Sequence, residues 1–226
     1  MAATDFERAR SAEAKRERET AILDSATRLA TERGVRDVTL TDIAAGVGMH
    51  KSTMLRYFET REDIFLHLAA SGWADWSRTV RDRLAEVASR ADGIELEPRI
   101  VAVAGILADT LVARPLFCDL LAHTPLNLER GVSFDTVRTF KIATVAASRS
   151  VGTALRDVLP VGQAAANNVV ATATALAGAL WQMAAPGTEL RRFYEGEPEL
   201  AHAVVDVGPR LQDVVTALLR GYLAAT

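Results

Sequence analysis

One cysteine, Cys118, in 226 residues leaves no partner for an internal disulfide and no material for a Cys-rich zinc site. It suits a reducing cytoplasm, where the chain is expected to act. Enzyme signatures are missing as well. The four histidines are scattered, and there is no His-Glu-x-x-His pair, no Gly-x-Ser-x-Gly elbow and no phosphate-cradling glycine loop. No catalytic residue, metal or cofactor is therefore expected. Residues 1–20 hold alternating charges, Arg8, Arg10, Lys15, Arg16 and Arg18 against Asp5, Glu7, Glu13, Glu17 and Glu19, without the apolar stretch of a signal peptide. An overall excess of basic charge is absent too: the net charge is −3. That argues mildly against a nucleic-acid partner, although only the contact face has to be basic.

What is present is helical from end to end. Half of the chain is hydrophobic, no alternating strand pattern persists, and breakers recur at helix length, so the fold is expected to be all-α with a sizeable core. A long helix is predicted from Arg61 towards Arg90, with a break at Asp92-Gly93. Further helices are predicted from near Pro98 to Val112, over Leu116 to Leu121 with an end at His123-Thr124-Pro125, and from Ser133 to Val158. Two more run from Gln163 to Ala185, stopped by Pro186-Gly187, and from near Pro209 to Ala224, and Thr188 to Glu199 reads as a charged loop. Val158 to Thr188 lacks charge and is long enough for a membrane span. Asn167, Asn168, Thr172, Thr174 and Gln182 interrupt it, so a helix buried on nearly all sides, and no membrane, is the better reading. Its small residues, among them Ala171, Ala175, Ala177, Gly178 and Ala179, permit close approach of another helix. Paired with the broad apolar face of the last helix (Leu211, Val214, Val215, Leu218, Leu219, Tyr222), it suits a four-helix dimer bundle; an ordinary monomer core is the alternative.

Between Thr39 and Phe58 two short helices are predicted around a glycine turn, the arrangement that puts a helix into the DNA major groove. Thr39 or Thr41 caps the first, and Asp42 stands three residues after Thr39 as in a capping box. Ile43, Ala44 and Val47 form its apolar face. Gly48 stops it, because glycine takes the left-handed conformation without steric cost. The second helix starts near His50 or Lys51. Met54 and Phe58, four apart, face the core, which leaves His50, Lys51, Ser52, Thr53, Arg56 and Tyr57 for the groove and its phosphates. No acidic residue lies from Ile43 to Phe58. Thr41 joins the contact set at the start of the first helix, and Arg61, in the next capping-box-like start, is placed beside the phosphate backbone. His50 would be held protonated by nearby phosphate or would simply cap its helix.

From Glu19 to Leu68 the chain resembles the tetracycline-repressor (TetR) family of bacterial transcription regulators. The likeness rests on Ile22, Leu23, Ala26, Leu29 and Ala30, the Arg33-Gly34 break, Thr39 to Ala44, and Gly48, Lys51, Thr53, Tyr57 and Phe58, closed by Arg61-Glu62. Two positions depart from the family pattern: His50 replaces a small residue, and Leu55 replaces a tyrosine or phenylalanine. The resemblance implies a charged N-terminal arm (1–18), a helix-turn-helix head (19–68) and a body (69–226) for ligand binding and dimerisation. It also implies a homodimer on palindromic double-stranded operator DNA, released by a small, largely apolar effector. Trp73, Trp76, Phe117, Phe134, Phe140 and Trp181 in the body are candidates to line the effector pocket, with Cys118, His123 and Asn167 as polar candidates. Each has a plain packing alternative, and Cys118 has no positive field nearby to activate it. A second reading, an all-α small-molecule sensor or carrier with a non-functional DNA head, draws on Leu55 and the weak basicity.

Overall fold

The computed structural model describes the backbone of residues 2–90, 93–184 and 189–225. The chain folds around α1 (Ala2–Arg33), whose apolar stripe begins at Ile22 and continues through Ala26, Leu29 and Ala30, all buried. The backbone of residues 2–18 of the charged segment forms the first half of α1. Two short helices follow, α2 (Leu40–Gly46) and α3 (Lys51–Met54), and then the long α4 (Arg61–Ala88). Ile22, Ala26, Ile43, Met54, Phe58, Ile64 and Phe65 close on one another as the core of this head. Every one of them comes from a position that the helical spacing assigns to an inner face.

The body comprises α5 (Leu96–Val112), α6 (Pro115–Leu126), α7 (Phe134–Val158), α8 (Gln163–Ala184), α9 (Glu189–Gly196) and α10 (Val207–Ala224). Its core is built on Trp76 and Leu84 of α4, Leu107 and Leu111 of α5, Leu155 of α7, Val170 of α8 and Leu211 of α10. The Trp76 indole donates to Thr110 Oγ1 at 3.0 Å, so the largest core side chain buries no unmet donor. Gly178 lets α8 touch α6, since a methyl group there would stand 2.8 Å from the Ala122 nitrogen. Among the described residues no single helix is long and apolar enough to cross a membrane; α5 and α6 meet the length and composition only together, and they are bent by 88°.

Several boundaries differ from the sequence expectation, each for a local reason. Both α5 and α10 begin two residues before the anticipated proline, because Pro98 and Pro209 fall in a first turn, whose N–H groups lack intrahelical partners anyway. Helix α6 runs on to Leu126 with Pro125 in its last turn. The anticipated charged loop contains α9, tied by an Arg191–Glu195 pair at 2.7 Å one turn apart, and a 3-10 turn at Pro198–Ala203. Asp92 of the Asp92-Gly93 break, the stop at Ala185 to Gly187 and Thr188 lie outside the described residues. Head and body share side chains: Leu120 of α6, Leu128 of a 3-10 turn and Phe140 of α7 pack into the head core.

Candidate nucleic-acid interface

The turn between α2 and α3 sets the recognition segment. Thr39 caps α2 in a reciprocal box: its hydroxyl accepts from the Asp42 amide at 3.2 Å, and Asp42 Oδ2 accepts from the Thr39 amide at 2.9 Å. That bond holds the Asp42 carboxyl below its ordinary value, the Thr39 hydroxyl and amide being the main causes and Arg33 a lesser one. Thr41 remains exposed beside the cap. Gly48 takes φ +65° and turns the chain. His50 is then the cap of α3, with Nδ1 accepting from the Ser52 amide at 3.4 Å and lying 2.9 Å from Ser52 Oγ. In this geometry the imidazole caps α3.

Regular α3 is one turn long, and tighter bonds from the Arg56 amide to Thr53 O and the Tyr57 amide to Met54 O extend it. Met54 is fully buried and Phe58 nearly so, which orients the segment. Lys51, Ser52 and Arg56 are exposed, and Thr53 and Tyr57 are half-buried. Leu55, 52% exposed, adds an apolar patch to the same surface. Arg61 is placed otherwise than expected. Its guanidinium donates to the Val38 and Val35 carbonyls, pairs with Glu62 at 2.9 Å and lies 4.6 Å from the centre of the Phe65 ring. It clamps the α1–α2 turn onto α4 instead of reaching outward.

Two junctions tie this head to the body. Glu59, just after the recognition segment, accepts from the Ser133 amide (3.0 Å), the Ser133 hydroxyl (2.9 Å) and the Thr136 hydroxyl (3.1 Å) at the start of α7. The Ser133 bonds chiefly hold its carboxyl below the ordinary value. Asp119 of α6 accepts from the Val35 amide and from Gln182 of α8, each at 2.7 Å, and lies 3.4 Å from His123 Nε2. Burial alone would raise the Asp119 carboxyl, but His123, Val35 and Gln182 together bring it below its ordinary value.

The candidate effector residues are dispersed. Trp76, Phe117 and Cys118 are core, and burial, with Asp119 adding to it, pushes the thiol up to about 12. Trp73 stacks edge-on against Trp76 and Phe117, Phe134 is 92% exposed, and Asn167 accepts from Gln163 at 2.9 Å. Four border a sizeable concavity near the head, Phe117 one of about 350 Å³ that also takes in Thr27 and Leu68. Phe140 lies in an apolar cleft of about 280 Å³ between α4 and α7, with Leu66, Ala70, Thr136 and Ala143. His123 and Trp181 border a third, of about 400 Å³, between the α1–α2 turn and α6 and α8. Apart from Phe140, the residues of the α4–α7 lining carry no sequence signal, because small and polar residues such as Ala70, Ala143 and Thr136 become a cleft only when two helices bring them together.

The model of bacterial regulatory proteins of the tetR family matches residues 22–68, and that of the tetracyclin repressor-like C-terminal domain matches residues 73–226. The chain belongs to the TetR family. It is accordingly a DNA-binding transcription regulator and not an enzyme. No curated protein matches it. Among solved structures it is similar to Thermus thermophilus FadR, a TetR family transcriptional repressor in complex with lauroyl-CoA, at 18% identity over 83% of this chain and 95% of that one, with a TM-score of 0.51. The fatty acid degradation regulator FadR of Bacillus halodurans is similar at 14% identity, over 88% and 94%, with a TM-score of 0.50. At these identities the likeness establishes a shared TetR fold.

Proposed function

We propose that the protein is a homodimeric, effector-responsive repressor that binds a palindromic operator through α3 and leaves it when a small, largely apolar molecule enters the body. The observation that carries this reading is the recognition segment: two buried anchors, Met54 and Phe58, hold a turn that carries His50, Lys51, Ser52, Thr53, Arg56 and Tyr57 and no acid. Residues at the start of a recognition helix meet base edges, which gives Lys51 the groove and leaves Thr41, Arg56 and Tyr57 nearer the backbone. Lys51→Ala is expected to cost about 1–3 kcal/mol in operator affinity and to relax discrimination at one base pair. Unchanged affinity and specificity would take α3 out of the groove.

The α4–α7 cleft is the effector site best supported, since Thr136 both lines it and holds Glu59 beside the recognition segment. A molecule that wedges α7 from α4 has different affinities for the latched and unlatched head, which is what a release mechanism requires. Phe140, Leu66 and Ala70 suit an apolar group, and the lauroyl-CoA held by Thermus thermophilus FadR supports testing acyl compounds first. The role implies a cytoplasmic site of action.

A further inference from the structure

The side of α1 that packs the head changes character where the head ends. Ile22, Ser25 and Ala26, three and four residues on, and Leu29, three beyond Ala26, share one face and are all buried. Continued towards the N-terminus, the same stripe runs through Arg18, Lys15 and Ala14. There it overhangs the end of the recognition segment. Ala14, Lys15, Arg18, Arg56 and Tyr57 enclose a surface concavity of about 310 Å³. Glu13 and Glu17 lie on other faces of the helix by the same 100° step, as does Arg16; Glu19, on the flank, pairs with Lys15 at 3.6 Å. Three cationic side chains and a tyrosine thus converge from two elements far apart in sequence.

We propose that the Ala14–Arg18 stretch of α1 belongs to the DNA-binding surface, with Lys15, Arg18, Arg56 and Tyr57 forming one site for a backbone phosphate of the duplex. The inference rests on the DNA-binding reading above and adds a contact outside the helix-turn-helix. Its chemistry is sequence-independent: guanidinium and ammonium groups neutralise a phosphodiester and release its counterions, fixing the register of the head without reading a base. It also offsets the weak basicity of the chain by concentrating cations at the rim of the recognition segment.

The test compares Arg18→Ala with Arg16→Ala in the full chain, two substitutions that remove the same charge two residues apart on opposite faces of an exposed helix. Affinity for a selected operator and for a mixed-sequence duplex is measured against salt concentration. Arg18→Ala is expected to weaken both duplexes by the same factor and to lower the slope of log K against log salt by about 1, with Arg16→Ala close to wild type. Equal behaviour of the two variants overturns the phosphate site, as does a loss on the operator alone, which would make Arg18 a base reader. Wild-type chain that binds neither duplex would instead sink the DNA-binding reading itself, and this inference with it.

Discussion

Asp119 shows how one side chain can serve three elements. Its carboxylate takes the Val35 amide from the α1–α2 turn, the Gln182 amide from α8 and faces His123 on its own helix. A buried carboxylate is costly unless its lone pairs are met, and here each oxygen has a donor. Asp119→Ala is expected to cost about 1–3 kcal/mol, because the Val35 amide and Gln182 are left without their acceptor. The pH dependence follows from the direction of its shift. With the folded value held below the ordinary 3.8, the stabilisation is fully present above 3.8 and is lost as pH falls through the lower folded value. Urea midpoints measured down the acid limb should therefore fall more steeply for the wild type than for Asp119→Asn. Parallel limbs would show that the carboxylate charge contributes nothing to the junction.

At the scale of elements, the link that matters runs from the recognition segment to α7. Glu59 is shared: it follows the recognition segment and accepts one backbone and two side-chain donors at the start of α7. Glu59→Ala is expected to speed amide exchange in residues 55–60 and in the first turn of α7 together, as both lose the same acceptor. Acceleration confined to one of them would mean that the two move independently. Nothing in the sequence pointed to this latch, since Glu59 and Ser133 are far apart and each reads as an ordinary surface or capping residue. The helix-turn-helix was legible for the opposite reason. Thr39 with Asp42, Gly48 and the Met54/Phe58 pair act within a few residues of one another, so local spacing determines their roles. Arg61 marks the limit of that logic. Its position beside the recognition segment was readable, but its direction depends on the Val35 and Val38 carbonyls, which only the folded turn supplies. Of the aromatic candidates Phe140 lines the α4–α7 cleft, beside small residues such as Ala70 and Ala143, whereas Trp76 and Phe117 fill the core.

At the scale of the whole molecule, α8 has two distinct faces. Ala166, Val169, Val170, Ala173 and Ala177 point into the chain's own core, and Ala177 is 0% exposed. The small-residue stretch is therefore only half available to a partner. Ala171, Thr172, Ala175 and Ala179 are exposed and uncharged, and α10, packed against α8, adds exposed Ala217 and Gly221 beside half-buried Leu218. Helix α10 also exposes Asp213 and Arg220 on that side, so close approach is left to the strip of α8, and a two-fold axis there would bring the two pairs into a four-helix interface. Charge placed on the two faces should then have separable effects. Ala175→Arg is expected to leave the melting temperature of the monomer fold near its starting value while shifting sedimentation from dimer to monomer, since the guanidinium would meet its own copy across the axis. Ala177→Arg should instead unfold the chain, because it forces an unpaired charge into a packed core. A wild-type chain that sediments as a monomer at micromolar concentration would refute the interface. A dimer that survives Ala175→Arg would move it to another face, and with it the spacing of the two recognition segments, which on a palindrome must match about one helical turn of DNA, roughly 34 Å.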